Sequence, residues 1–230
     1  MASLSGRPRL SLSKVDNVDL DFVEALLRGA PEVQPFYSRS LIESWLTEGA
    51  FYKAVDPDGQ IVGVIHVRIV ADAVWLEGIA TRPDVRRKGI GRALALQAMQ
   101  VSGGEVFRIM ASARNVPSTA LANALGFREV DRVYFIDGRE ASAREIAEEL
   151  GLRESDRSVI SGVKGYVDRL AWAPIQHYKG RVYSGQGLAL LETDPPFFAK
   201  GTTESFRAFS REPAYGSEEF IVYELRRARA

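Results

Sequence analysis

The sequence feature that most constrains this chain is a basic segment with two glycines, Arg86-Arg87-Lys88-Gly89-Ile90-Gly91. The apolar run at residues 74–80 before it predicts a strand, and apolar residues at helical spacing after it predict a helix. Backbone N–H groups at a helix start converge on anions, and glycines allow a ligand to approach the backbone closely. The segment therefore predicts a pyrophosphate-binding loop, with positive charge added by Arg86, Arg87, Lys88 and Arg92.

Strand and helix patterns alternate up to residue 136. The predicted strands are residues 9–15, 51–55, 61–70, 74–80, 106–112 and 128–136, and the predicted helices are residues 18–28, 40–47, 90–101 and 118–125. In the first helix, Val18, Phe22 and Leu26 have the spacing of one apolar face. Asp137-Gly138 predicts a turn, so we expect a first domain over residues 1–137.

The remaining residues, 138–230, carry weaker patterns and many turn-forming residues. They predict a small α+β domain with a helix at residues 143–150 and strands at residues 166–172, 187–192 and 220–225. We expect this accessory domain either to cover the site of the acceptor substrate or to mediate oligomerisation, and a homodimer is one of the arrangements left open.

The composition excludes several classes of protein. The chain has no Cys, which excludes disulfides, thiolate metal sites and a cysteine nucleophile. Its two histidines, His66 and His177, have no metal-ligand spacing, so no metal site is predicted. The 30 basic and 30 acidic residues cancel, which argues against nucleic-acid binding. No apolar stretch reaches the roughly 18 residues of a membrane helix, and a cytoplasmic location is the default expectation.

Two stretches of the chain together resemble the GCN5-related N-acetyltransferase (GNAT) superfamily. Residues 86–91 match its Arg/Gln-x-x-Gly-x-Gly/Ala pyrophosphate motif. Asn115, Ser118 and the triplet Leu125-Gly126-Phe127 match its second cofactor motif in order and spacing. The resemblance covers roughly residues 9–136 in element order. It implies acetyl-coenzyme A as the cofactor and an α/β fold, in which a mixed, mostly antiparallel sheet has splayed fourth and fifth strands and is flanked by helices.

The resemblance also implies where the cofactor lies. The pantetheine arm would occupy the gap between the splayed strands and pair with the backbone of Ile79 and Ala80, whose region would also stabilise the oxyanion of the reaction. Asn115 would touch this arm, and Ser118 would either cap its helix or contact the cofactor. The predicted cofactor-binding residues are Ile79, Ala80, Arg86, Arg87, Lys88, Gly89, Ile90, Gly91, Arg92, Asn115 and Ser118.

Acetyl transfer to an amine needs two proton transfers. A typical alkylamine has a pKa of about 10 and must lose a proton before it attacks, and Glu77 on the fourth strand is the candidate base. The alternative is an ion-paired or surface glutamate. Members of this superfamily usually protonate the leaving thiolate with a Tyr, but the matching position here is Ala122. Tyr134, Ser112 or a residue of the second domain is the candidate replacement, although a strand tyrosine also packs well in a core.

Three functional hypotheses follow. The leading one is an N-acetyltransferase that moves an acetyl group from acetyl-coenzyme A to a primary amine, of a small molecule or a protein, by direct attack on the thioester. Ala122 prompts a second, a non-catalytic acyl-coenzyme A sensor. The third is an acetyltransferase fused to a DNA-binding helix-turn-helix, because residues 143–151 resemble the second helix and turn of that motif.

Overall fold

The computed structural model of the protein describes residues 10–29 and 37–227. They divide into two compact units, and the division does not follow chain order. The first unit contains the described residues up to 109, residues 120–127 and residues 225–227, whereas the second contains residues 110–119 and 128–224. Residues 128–136, which we predicted as the last strand of the first domain, thus lie in the second unit. The functional boundary at residue 137 stays a prediction.

The first unit is built on strands that pair in chain order. They are β1 (Ser11–Lys14), β2 (Ala50–Val55), β3 (Ile61–Val70), β4 (Ala73–Thr81) and β5 (Val106–Ser112), and the helices of this part of the chain are α1 (Leu20–Arg28), α2 (Arg39–Ser44) and α3 (Ile90–Ser102). Strands β1 to β4 are antiparallel, and β5 pairs with β4 in parallel. The predicted fold class, a mixed and mostly antiparallel sheet with helices, is confirmed.

Strands β4 and β5 pair over a short distance only. The parallel pairs are Val74 with Phe107 and Trp75 with Arg108, although β4 continues to Thr81. A strand that loses its neighbour presents backbone N–H and C=O groups along that edge. This divergence leaves the second half of β4 available to a ligand on the β5 side.

The second half of β4 also contains a β-bulge. Val64 pairs with Ala80 and His66 with Glu77, so the pairing register shifts by one residue between these pairs. Gly78 lies inside the bulge with φ +59°, a left-handed conformation that glycine adopts without steric cost. The bulge therefore changes the direction of the β4 backbone at the point where the strand has left β5.

The core of the first unit lies under α1 and α2. Its fully buried members include Val23, Leu27, Ile42 and Trp45. The predicted apolar face of the first helix is partly wrong, because Val18 is 89% exposed and Phe22 is 41% exposed, whereas Leu26 is buried. The reason is that residues 17–19 form a 3₁₀ turn, closed by a capping box between Asp16 and Asp19, so the α-helical period starts at Leu20.

The second unit is rich in short strands. They are β6 (Arg128–Ile136), β7 (Arg153–Ser155), β8 (Gly165–Asp168), β9 (Ala171–Pro174), β10 (Val182–Gly185), β11 (Leu188–Leu191), β12 (Phe197–Lys200), β13 (Ala208–Ser210) and β14 (Glu218–Arg226); the helices are α4 (Val116–Ala124), which extends into the first unit, and α5 (Ala143–Glu149). The order in the sheet is β14-β6-β13-β12-β11-β10-β7, with β8 and β9 as a separate hairpin.

The structure corrects two predictions for this unit. The strand expected at residues 166–172 is a hairpin, because Arg169 and Leu170 both have positive φ and reverse the chain. The helix α5 exists, with Ser142 as its N-cap, but the residues after it form strand β7 instead of a recognition helix. A helix-turn-helix is therefore absent from this described segment. In the described part of the chain, no helix is long and apolar enough to cross a membrane.

Candidate active site

The basic loop leads directly into α3. Gly89 is the N-cap residue of the helix with φ +79°, and Arg87 also has a positive φ of 65°. The first backbone hydrogen bond of the helix runs from the Ala93 N–H to the Gly89 carbonyl oxygen, at 2.9 Å. The N–H groups of the first-turn residues before Ala93 have no acceptor inside the helix. They form an anion-binding end on a helix of 13 residues.

The side chains around this helix end add positive charge. Arg86, Arg87, Lys88 and Arg92 are all exposed. Asp84, two residues before Arg86 in the sequence, is already paired with Arg82 at 2.7 Å, and this guanidinium lowers the pKa of Asp84. The loop is consequently a cationic surface around unsatisfied backbone amides, which suits a pyrophosphate.

The glycines of the loop leave room for a ligand. A Cβ built on Gly89 meets nothing within 4 Å, and one built on Gly91 lies 3.7 Å from Thr81 Cγ2 and 3.8 Å from Leu121 Cδ2, ordinary contact distances. Packing within the protein therefore does not require glycine at position 91. Close approach of a phosphate to the backbone does require it, so the loop fits the cofactor predicted for it.

Glu77 lies at the start of the bulge in a network of donors. Its side chain is 10% exposed. One carboxylate oxygen accepts from Arg68 Nε at 2.7 Å and lies 2.8 Å from His66 Nδ1. The other accepts from Trp75 Nε1 at 3.1 Å and from Arg68 Nη2 at 3.3 Å. The ion-paired alternative for Glu77 is thus present in the structure, whereas its role as a base stays a prediction.

Residues 20–127 match the model of the Acetyltransferase (GNAT) family. They belong to that family. Membership supports the predicted resemblance over both cofactor motifs, and it supports acetyl-coenzyme A as the cofactor of the loop.

Known structures agree with this GNAT assignment at the level of the fold. A candidate acetyltransferase from Thermoplasma acidophilum has a TM-score of 0.65 at 15% identity, over 94% of this chain and 100% of that one. The ribosomal-protein-S18-alanine N-acetyltransferase from Escherichia coli has a TM-score of 0.50 at 17% identity, over 96% of each chain. Among curated protein sequences, none matches this chain significantly.

The second GNAT cofactor motif lies at the start of α4. Asn115 Oδ1 accepts from the Ser118 N–H at 3.1 Å, and the Asn115 carbonyl accepts from the Thr119 N–H at 3.0 Å. Asn115 is therefore the residue that caps α4, and the capping alternative for Ser118 is wrong. Contacts of Asn115 and Ser118 with a cofactor stay predictions, as do those of Ile79 and Ala80 on β4, which are half-buried.

The position that holds a Tyr in many GNAT proteins is occupied in this chain by Ala122, which is completely buried and has no hydroxyl group. The proposed replacements lie in the second unit. Tyr134 is half-buried, with its hydroxyl 3.5 Å from Glu219 Oε1, and it lines a cavity of about 410 Å³. Ser112 is buried and donates to Glu218 Oε1. A role for either residue in catalysis stays a prediction.

Tyr37 was missed by sequence reasoning because it belongs to no motif. Its hydroxyl oxygen accepts a hydrogen bond from the Gly78 N–H in the bulge, and its ring contacts Trp45 edge-on at 5.6 Å between centroids. Burial raises the pKa of Tyr37, and the negative charge of Glu77 raises it further. Tyr37 is thus a neutral phenol beside the β4 bulge.

Proposed function

We propose that this protein transfers the acetyl group of acetyl-coenzyme A to a primary amine. The observation that carries the proposal is the cationic loop at the N-terminus of α3 in a unit whose β4 and β5 diverge after one short pairing. The loop offers amides to a pyrophosphate, and the free edge of β4 offers a strand-like partner to the pantetheine arm. Both features are required by one extended ligand with a phosphate end.

In the proposed reaction, the amine nitrogen attacks the thioester carbonyl carbon. A C–N bond forms, the C–S bond breaks, and the coenzyme leaves as a thiolate that takes a proton. Backbone N–H groups near Ile79 and Ala80 would stabilise the oxyanion, usually the largest electrostatic contribution to acyl transfer. The bulge at Gly78 supports this role because it turns backbone groups out of the regular pairing with β3.

The proposed base is Glu77, directly or through a water molecule. Its carboxylate is already held by Arg68 and Trp75, so the substitution Glu77→Gln is informative. If Glu77 takes the proton of the amine, we expect kcat to fall about 100-fold or more while acetyl-coenzyme A affinity is kept. An unchanged kcat would remove Glu77 from the proton path. Tyr134→Phe tests the proposed acid in the same way.

The test of the function itself is release of coenzyme A thiol with a panel of amines: a polyamine, a peptide with a free N-terminus and a peptide with an internal lysine. Because the chain has no Cys, a thiol reagent reports coenzyme A without background from the protein. Mass spectrometry of the acceptor checks for the added acetyl group. Tight binding of acetyl-coenzyme A with no acetylated amine would contradict the proposal.

That contrary result would favour the sensor hypothesis. The buried Ala122 supports it, because no hydroxyl is present at the position from which GNAT proteins commonly protonate the thiolate. A sensor is expected to bind acetyl-coenzyme A more tightly than coenzyme A, a difference that calorimetry measures directly.

A further inference from the structure

His66 lies at the centre of the network around Glu77 and is completely buried. Its ring stacks flat on Trp45, with centroids 4.7 Å apart and an angle of 8° between the planes. Phe51 covers it edge-on at 5.8 Å. An imidazole enclosed in this way has one orientation, so the directions of its two nitrogens are fixed.

Both nitrogens face oxygen atoms that accept hydrogen bonds. Nε2 contacts the backbone carbonyl of Glu48, which can only accept, so Nε2 carries a proton. Nδ1 lies 2.8 Å from Glu77 Oε1, and the same oxygen accepts from Arg68 Nε at 2.7 Å. A carboxylate oxygen that is ion-paired with a guanidinium acts as an acceptor, so this geometry places a proton on Nδ1 as well.

We infer that His66 is a buried imidazolium that positions the Glu77 carboxylate for the proposed transfer reaction. The face of Trp45 stabilises the cation, because the π-system is negative above the ring plane. Among the described residues, the hydrogen-bond network of the ring includes the charged side chains of Glu77 from β4 and, through the same carboxylate, Arg68 from β3. The catalytic consequence of this inference rests on the proposed function. The charge of the ring is independent of that function.

Trp45 also contacts the bulge that follows Glu77. A Cβ on Gly78 would lie 2.6 Å from Trp45 Cζ3, so the indole ring touches the backbone at that residue. His66, Trp45 and Glu77 therefore hold one another and the neighbouring bulge in a single arrangement. His66 acts on the reaction through Glu77 and is a positioning residue.

The protonation state is tested by ¹⁵N NMR of the full-length protein with labelled histidine near pH 7. With two histidines in the chain, His177→Gln assigns the signals. We expect both His66 nitrogens at the shifts of protonated imidazolium. One nitrogen at the shift of an unprotonated ring would overturn the inference. Because this measurement needs no turnover, its failure is distinguishable from failure of the proposed acetyl transfer.

The positioning role is tested by a matched pair of substitutions. In His66→Asn the amide nitrogen takes the place of Nδ1 and still donates toward Glu77, whereas in His66→Gln it takes the place of Nε2 and donates toward the Glu48 carbonyl. Loss of a hydrogen bond to a charged group predicts a kcat about tenfold lower for His66→Gln than for His66→Asn, with similar KM values for acetyl-coenzyme A. Equal kcat values, or a more active His66→Gln, would overturn the role.

Discussion

At the scale of single residues, Gly78 is constrained twice. Its φ of +59° disfavours any side chain, and a Cβ would meet Trp45 at 2.6 Å. We expect Gly78→Ala to lower the free energy of unfolding by about 1–2 kcal/mol for the backbone conformation and about 1–3 kcal/mol for the overpacking. Urea-induced unfolding measures the sum of these two losses. Gly59→Ala is the matched control, since Gly59 has φ +79° with nothing within 4 Å of its Cβ; equal losses at both positions would exclude the clash.

The raised pKa of Tyr37 leads us to expect a loss of stability at high pH. Burial raises its pKa above the value of about 10 in the unfolded chain, so the unfolded state loses its proton first. The stabilisation is complete below pH 10 and is lost as the pH rises toward the folded-state pKa. Unfolding at pH 8 and pH 11 should show a smaller loss for Tyr37→Phe than for the wild type. Tyr215→Phe is the control, because Tyr215 is 90% exposed and should not alter the loss.

At the scale of secondary-structure elements, the N-terminus of α3 allows stability and ligand binding to be separated. Gly91→Ala adds a Cβ that the protein accommodates at 3.7 Å and replaces glycine in a helix, so stability should rise by up to about 1 kcal/mol. If the first turn of α3 holds the pyrophosphate, as proposed, the same Cβ keeps the phosphate from approaching the backbone closely, so acetyl-coenzyme A affinity should fall about tenfold or more. Calorimetry and thermal unfolding measure the two effects, and unchanged affinity would contradict the placement of the cofactor.

The elements also show what sequence could and could not predict. The loop, β4 and α3 were predictable because apolar periodicity and glycine placement are local properties. The capping box at Asp16 shifted the period of α1 from Val18 to Leu20, a geometric effect that spacing alone does not reveal. The contact of His66 with Glu77 depends on the register between β3 and β4 around a bulge, so it requires pairing information that a single sequence lacks.

At the scale of the whole molecule, residues from three separate segments form the first unit. Arg227, near the end of the sequence, donates from its backbone N–H to the Glu105 carbonyl at 2.8 Å, and its guanidinium lies 4.8 Å above the Phe107 ring. A hydrogen bond and a cation–π contact together contribute about 1–3 kcal/mol to the free energy of unfolding.

Deletion of residues 225–230 should therefore lower the melting temperature by several degrees and weaken acetyl-coenzyme A binding. Deletion of residues 228–230 alone is the control, because it keeps Arg227. Differential scanning calorimetry of the two truncated proteins checks the prediction. If both melt like the full chain, the last segment does not stabilise the first unit.

The same arrangement has a consequence for synthesis in the cell. A ribosome makes the chain from its N-terminus, and residues 110–119 and 128–224 emerge before the last segment of the first unit. The basic loop at residues 86–91 is therefore translated early, but the unit that carries it lacks its third segment until residues 225–227 have been made. Nascent chains arrested before residue 225 should remain sensitive to protease in this unit after the loop has left the ribosome.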